Sequence, residues 1–227
     1  MGAMARNLIL SGGVAHDFAA TSQTLAEVLL EAGIESEITE DIAGALSEPP
    51  QVDLITINAL RWRNQTGHFE SERDSWYLNL TQDARAVLLD HLNKGGGVLA
   101  MHSASICFDD WQGWPRVLGA SWKWGKSHHP AIGWTTVHVN RDHVITDGLR
   151  DFDVVDEVYS DLDVLPDVAP LATSLGQPVL WARNVRRGRL VYDALGHDTR
   201  SYDSPVHRTL LCRAAQWLLR QPVGICE

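Results

Sequence analysis

The sequence predicts an α/β protein: a doubly wound, mostly parallel sheet with helices on both faces and a β-rich C-terminal half. Three observations predict it. Strand-like and helix-like segments alternate through the first 105 residues. The runs at 52–58 (VDLITIN) and 98–101 (VLAM) are apolar almost throughout, as in strands buried on both faces. From residue 135 onward, strand-like runs follow one another with little helix between them.

Residues 7–11 (NLILS) form a short apolar run ending at Gly12-Gly13, and residues 21–32 place Leu25, Val28, Leu29 and Ala32 at helical spacing before Gly33. A weaker strand spans 34–39, ahead of the buried run at 52–58. Thr81 caps a helix whose inward stripe is Ala84, Val87, Leu88 and Leu92, and Gly95-Gly96-Gly97 ends it before the run at 98–101. Such strand–helix–strand units cross over right-handedly. The later strand-like runs are 135–139, 154–159, 168–173, 179–183 and 189–194, with a hairpin around 184–188. Ser204-Pro205 supplies an N-cap with proline at the first helical position, and Val206, Leu210, Ala214, Trp217 and Leu218 form the stripe of a closing helix. Segment 60–80, with Trp62, His68, Phe69, Trp76 and Tyr77, reads as a lid or an interface loop.

The composition narrows the class of partner. With 227 residues, 44% of them hydrophobic, the chain reads as one domain, residues 1–227, able to bury about 70% of its unfolded surface without staples. Nineteen basic against 29 acidic side chains, net −10 with no basic run, disfavour nucleic acid as a partner. Cys107, Cys212 and Cys226 lack CxxC spacing, which argues against a disulfide framework or a thiolate zinc site and for a reducing cytoplasm. No apolar run reaches about 18 residues and no leader-like h-region follows Met1, so neither membrane nor export is expected. The second methionine, Met4, sets residues 1–3 apart as an appendage to the fold. A homo-oligomer is compatible with all of this.

In a doubly wound sheet, ligands bind beyond the carboxyl ends of the strands. That rule selects His16 after the first strand, Asn58, Arg61 and Trp62 after the third, His102 and Ser103 after the fourth, and Gly196-His197 after the last. Asp156 and Glu157 break an otherwise apolar strand-like stretch; alternation lets at most one of them face the site, and Glu157 is the choice. Gly95-Gly96-Gly97, a four-residue strand and His102-Ser103-Ala104 resemble a nucleophile elbow with histidine at the apex and Ser103 turned elsewhere. A thiolate amidotransferase or cysteine peptidase needs cysteine there, so that chemistry is excluded. The adjacent His128 and His129 cannot both point at one centre; His129 joins the candidate substrate contacts with Trp111. Trp62, Trp111, Trp122 and Trp124 are candidate sugar platforms, whereas Trp181 and Trp217 are expected in the core. There is no GxGxxG, P-loop or HExxH.

These pieces together resemble the ThuA-like, or trehalose utilisation, family within the class I glutamine amidotransferase-like fold. The resemblance is carried by Gly12 to His16, Gly95 to Ala104, Trp111 with Leu118-Gly119, His128-His129-Pro130 and His143 to Leu149. It continues through Asp156-Glu157-Val158-Tyr159, Pro178 to Trp181, Gly188 to Tyr192 and Leu195-Gly196-His197. Val144 stands where the family often has proline, and residues 122–126 are unusually aromatic. The resemblance implies a flavodoxin-like sheet and a role in carbohydrate catabolism, on trehalose or related sugars, including 3-keto derivatives. His16, His102, Glu157 and His197 then serve as acid–base groups for an isomerase, lyase or hydrolase of a sugar derivative, or as ligands of zinc or another divalent ion. The rival reading is a catalytically silent amidotransferase-like domain that binds a sugar or a protein.

Overall fold

The computed structural model describes residues 4–63 and 69–224; His68 and Cys226 lie outside the described residues. In chain order the elements are β1 (Ala5–Gly13), α1 (Phe18–Glu31), β2 (Ile34–Thr39), α2 (Ile42–Ala45), β3 (Leu54–Leu60), α3 (Arg73–Trp76), α4 (Gln82–Asn93) and β4 (Gly97–Met101). Then come α5 (Trp114–Leu118), β5 (Ala120–Ser121), β6 (Gly133–Val139), β7 (Phe152–Asp156), β8 (Asp163–Val164), β9 (Pro170–Ser174), β10 (Gln177–Val185), β11 (Gly188–Asp193) and α6 (Pro205–Leu218).

Nine strands form one sheet in the order β2-β1-β3-β4-β11-β10-β9-β6-β7, while β5 and β8 pair separately. The first five run parallel and the remaining pairings are antiparallel. The β-rich second half is thus an antiparallel extension of the sheet, with the expected hairpin joining β10 to β11. The chain steps from β1 to β2 one way and from β3 to β4 the other, so right-handed crossovers put α1 and α4 on opposite faces. Every residue of β3 and β4 is buried, as their unbroken apolar runs require. The stripes Leu25, Val28 and Leu29 of α1, Ala84, Leu88 and Leu92 of α4, and Leu210, Ala214 and Leu218 of α6 complete the core. Each fully buried leucine contributes about 1.5–3 kcal/mol.

Register shifts in β10 at Pro178, Leu180 and Trp181 add to the twist of the antiparallel half. The edge strand β7 curls back far enough for Phe152 to stack on His207 of α6, with ring centroids 6.3 Å apart. That curl brings the end of β7 beside the loop after β11.

Several expectations shift. Helix α1 begins at Phe18, three residues before the expected Thr21, because Asp17 caps it by accepting from Ala20 N–H at 2.9 Å. The strand expected at 154–159 spans Phe152–Asp156, so Glu157 and Tyr159 lie beyond its end. Trp217 is only half-buried, its ring holding the Arg189 guanidinium at 4.5 Å; Trp181 is in the core as expected. Within the described parts of segment 60–80, Trp62 bridges Tyr77 and Trp76 is fully buried beside Val14, Phe18 and Leu60, whereas Phe69 and Tyr77 are exposed.

Candidate functional site

The site grows from three strand ends. β4 runs into a short 3-10 turn at His102–Ser105, and His102 adopts φ +34°. A positive φ is unusual for any residue but glycine, and is the backbone signature of a sharp elbow. Two bonds from the β11 side hold it: His102 Nδ1 lies 2.7 Å from the Ala194 carbonyl, and the Tyr192 hydroxyl donates to the His102 carbonyl at 2.6 Å. Ser103 turns the other way, donating to the Ala59 carbonyl at 2.8 Å from a buried position.

His16 follows β1, where Gly13 has φ +140° and a Cβ would lie 2.5 Å from the Leu60 carbonyl, so only glycine fits. The His16 Nδ1 lies 3.1 Å from the Val14 carbonyl, while its covered Nε2 has no partner among the described residues. His197 follows β11 through Gly196; its Nδ1 is 3.0 Å from Glu157 Oε2 and 3.3 Å from His102 Nε2. Glu157 also lies 2.8 Å from His129 Nδ1 through Oε1 and 3.8 Å from His102 Nε2 through Oε2. The His16 ring sits 4.6 Å from that of His197 and 5.1 Å from that of His102, centroid to centroid. One ligand atom each from His16, His102, Glu157 and His197 lie within 4.8 Å of one another.

Beneath them Asp156 is the keystone of two loops. It is 2% exposed and accepts from Gly196 N–H at 2.7 Å, Glu157 N–H at 2.7 Å and His197 N–H at 3.3 Å. Asp156 and Glu157 therefore both serve the site, one by contact and the other by fixing backbone. Alternation failed as a guide because the strand ends between them.

The four groups differ in charge. Burial, with the neighbouring His197, pushes His16 down to about 4, and burial likewise pushes His102 well below the usual histidine range. Burial also opposes the charged form of His197, but its hydrogen bond to Glu157 and the nearby carboxylates outweigh that and raise it. The hydrogen-bond pattern assigns the protons: His16 and His102 donate Nδ1–H to backbone carbonyls, which leaves both Nε2 lone pairs free. His197 Nδ1–H is then shared between Glu157 and His102.

Apart from His129, the other expected contacts lie away from this centre. Asn58 is 1% exposed, its amide donating to Thr21 Oγ1 at 3.1 Å and Ser22 Oγ at 3.0 Å, so it ties β3 to α1. Arg61 is a packed rather than a solvated arginine, 3.6 Å from Glu40 and against Gly12. Trp62 and Trp111 keep 3% and 9% exposure; Trp111 stacks on Trp114, and neither presents an open ring face. His128 turns to Asp161, 3.8 Å away, while His129 joins the site through Glu157. Cys107 is buried, and burial pushes its thiol up to about 12. Sequence reasoning misses the tilted packing of Tyr159 against His102, centroids 4.1 Å apart, because it places Tyr159 inside a strand.

A cleft of about 960 Å³ opens at the opposite end of the sheet, between residues 49–53, 90–96 and 218–221. Its polar groups are tied to one another or to backbone: Lys94 pairs with Asp90 at 2.6 Å, Asp53 accepts from Arg6 N–H at 2.9 Å, and His91 lies 3.0 Å from the Gly97 carbonyl. The strand-end rule and the converging side chains agree on the other end.

Fold and site together define a doubly wound α/β protein with a three-histidine, one-carboxylate centre and a histidine at the elbow apex. The chain belongs to the ThuA family, described as trehalose utilisation, whose family model matches residues 6–218. No curated protein matches it. Among solved structures it resembles a ThuA-like protein from Parabacteroides merdae ATCC 43184 at 17% identity and TM-score 0.77, covering 97% of this chain and 92% of that one. A cytoplasmic protein from Salmonella typhimurium LT2 aligns at 14% identity and TM-score 0.66, over 94% and 99% of the two chains. A β-galactosidase from Rahnella sp. R3 aligns at 14% identity and TM-score 0.64, over 96% of this chain but 32% of that one. At such identities the structural likeness speaks for the fold alone. Among the described residues no helix is long and apolar enough to cross a membrane.

Proposed function

We propose that this chain is an enzyme of carbohydrate catabolism that holds a divalent cation, zinc the best fit, on His16, His102, His197 and Glu157. Its substrate is trehalose or a related sugar, including 3-keto derivatives. The single observation that carries the cation is the His16 Nε2 lone pair, covered and without a partner among the described residues, on a ring that offers a donor atom within 4.8 Å of three others. A structural network balances donors against acceptors, whereas this one leaves the His16 Nε2 lone pair with no donor and asks one His197 proton to serve both Glu157 Oε2 and the His102 Nε2 lone pair. The donor set suits zinc, and the backbone carbonyls behind His16 and His102 orient the rings as outer-shell partners of metal ligands do. A cation there would polarise a sugar carbonyl or hydroxyl.

The chain's own part is proton transfer at a carbon next to a carbonyl. Without the cation, His102, held neutral by burial, offers Nε2 as base; with the cation bound, that same lone pair is a ligand. In that cation-free form His197, raised by its hydrogen bond to Glu157, carries the proton that an adjacent oxygen takes up, and His129 holds Glu157 from the solvent side. The family description supports the sugar class.

Metal content and turnover test this. Protein purified without chelator should carry close to one zinc per chain, and His16→Ala should weaken zinc binding at least about a hundredfold, as loss of a ligand exceeds the 10–100-fold of an outer-shell change. Wild type that binds no divalent cation refutes the metal centre; sugar binding without turnover on trehalose and keto-trehalose refutes the enzyme and favours the silent binding domain.

A further inference from the structure

Aromatic rings lead from the centre to the surface. His102 packs on Tyr159 with centroids 4.1 Å apart, Tyr159 on Trp122 at 4.9 Å, and Trp122 on Trp124 at 5.9 Å. Tyr159 is buried and Trp122 half-buried, but Trp124 ends the series with 41% of its surface open. Exposing so much of a tryptophan forgoes burial that would stabilise the fold. The ring is held in place all the same, because the turn that carries it is tied at both ends. Trp122 N–H donates to the Ser105 carbonyl at 2.9 Å, beside the His102 elbow. Lys123 N–H donates to Ser127 Oγ, and Ser127 Oγ to the Asp161 carbonyl, both at 2.8 Å. Trp62 backs the Trp124 ring at 5.2 Å, which is the part that buried indole plays.

An open, braced indole face beside polar groups matches one half of a pyranose, whose C–H face is apolar and whose rim carries hydroxyls. The rim has a partner in His129, 6.1 Å from the Trp122 ring and 42% exposed at its side chain. Resting on the function proposed above, we infer that Trp124 is the platform of an outer sugar subsite, so that the substrate is a disaccharide or other glycoside. One ring presents its reacting carbon to His102 while the second stacks on Trp124 with its hydroxyls toward His129. No step along the series exceeds 5.9 Å, so Trp124 is the surface end of a continuous row of rings that begins at His102. This assigns the aromatic stretch at residues 122–126 to recognition of the second ring.

Calorimetric titration with trehalose and with glucose tests the subsite on wild type, Trp124→Ala and Trp124→Phe. Trp124 is at the surface, so each variant should keep its fold. Trehalose should bind wild type about tenfold more tightly than glucose does, near the upper end of what one aromatic contact provides. Trp124→Ala should lose that preference and Trp124→Phe recover most of it. A Trp124→Ala protein that keeps the preference, or a wild type that binds neither sugar, overturns the subsite. Zinc titration of the same samples separates the two proposals: intact zinc binding with unchanged trehalose preference in Trp124→Ala refutes the platform alone. A trehalose preference that depends on Trp124 in a protein that binds no zinc supports the platform and refutes the metal centre alone.

Discussion

Asp156→Ala is the perturbation that reaches furthest from one carboxylate, because that group fixes the backbone under both His197 and Glu157. Gly196 and Glu157 each donate to it at 2.7 Å, and Asp156 is 2% exposed. Leaving a buried N–H without a partner costs about 1–3 kcal/mol, so two such groups predict a loss of about 2–6 kcal/mol. A water entering the space left by the carboxylate moves the value to the lower end. Asp156→Asn keeps one acceptor oxygen and should lose about half as much. Urea denaturation reads this as a fall in the transition midpoint at constant slope. The Asn variant, still folded, should bind zinc about 10–100-fold more weakly, since His197 and Glu157 lose their common anchor. An Asp156→Ala protein within about 0.5 kcal/mol of wild type, the scatter of ordinary surface changes, would falsify the keystone role.

Three further outcomes follow from the same geometry. His102→Gln keeps volume and some hydrogen bonding but cannot exchange a proton, so turnover should fall at least about a hundredfold while calorimetry still detects trehalose; equal turnover would remove His102 from the chemistry. His207, fully buried, lies 2.9 Å from Asp193 through Nε2 and donates from Nδ1 to the Ser201 carbonyl at 2.9 Å. Burial alone would lower His207, but the Asp193 carboxylate and these hydrogen bonds outweigh it and raise the pKa. The pair's contribution is therefore fully present below the unfolded histidine value of about 6.5 and is lost as pH rises through the raised folded value. His207→Gln should destabilise by about 3–5 kcal/mol and flatten that part of the urea-midpoint profile; an unchanged profile would show that this histidine does not titrate with folding. Cys107→Ser should leave turnover within a few-fold, since a thiol pushed up to about 12 is no nucleophile at neutral pH, and complete loss in a folded variant would restore a thiol mechanism.

Periodicity made the parallel half of the fold legible and left the curl of the antiparallel half hidden. The unbroken apolar runs of β3 and β4 could only be strands covered on both sides, and glycines marked where helices stop. Nothing local, however, announces that β7, at the far edge, returns to meet α6 and the end of β11. That return decides the site, because Glu157 arrives with it. The strand-end rule anticipates the convergence of His16, His102 and His197, because parallel strands carry their carboxyl ends to one rim whatever the loop sequence. The same rule also selects Asn58, Arg61 and Trp62, which turn away from that centre. Asn58 lies within β3 and ties it to α1, Arg61 packs beside Glu40 and Gly12, and Trp62 joins a small second core of Val14, Phe18, Leu60 and Trp76. The one signal for Asp156 was a second carboxylate beside Glu157, which reads as redundancy until the strand is seen to end between them.

The strain at His102 bears on whether this centre is chemistry or architecture. A non-glycine residue held in a sparsely populated backbone region costs of order 1–3 kcal/mol. Here the cost falls on a residue whose polar ring adds little hydrophobic gain to the interior. Asparagine or glycine would fit φ +34° with less strain. Ser103, one place later, shows how a polar side chain at this turn is satisfied when it serves packing alone, for it faces inward and bonds the Ala59 carbonyl. His102 faces the other way. Its Nδ1 and carbonyl are both fixed from the β11 side, so its Nε2 is aimed at the point where His16, His197 and Glu157 also aim. Backbone strain, a fixed tautomer and a lone pair directed at a shared centre each cost stability when considered alone. Together they are what a centre preorganised for a cation or a reacting carbon requires, since groups already in position need not reorganise when charge develops.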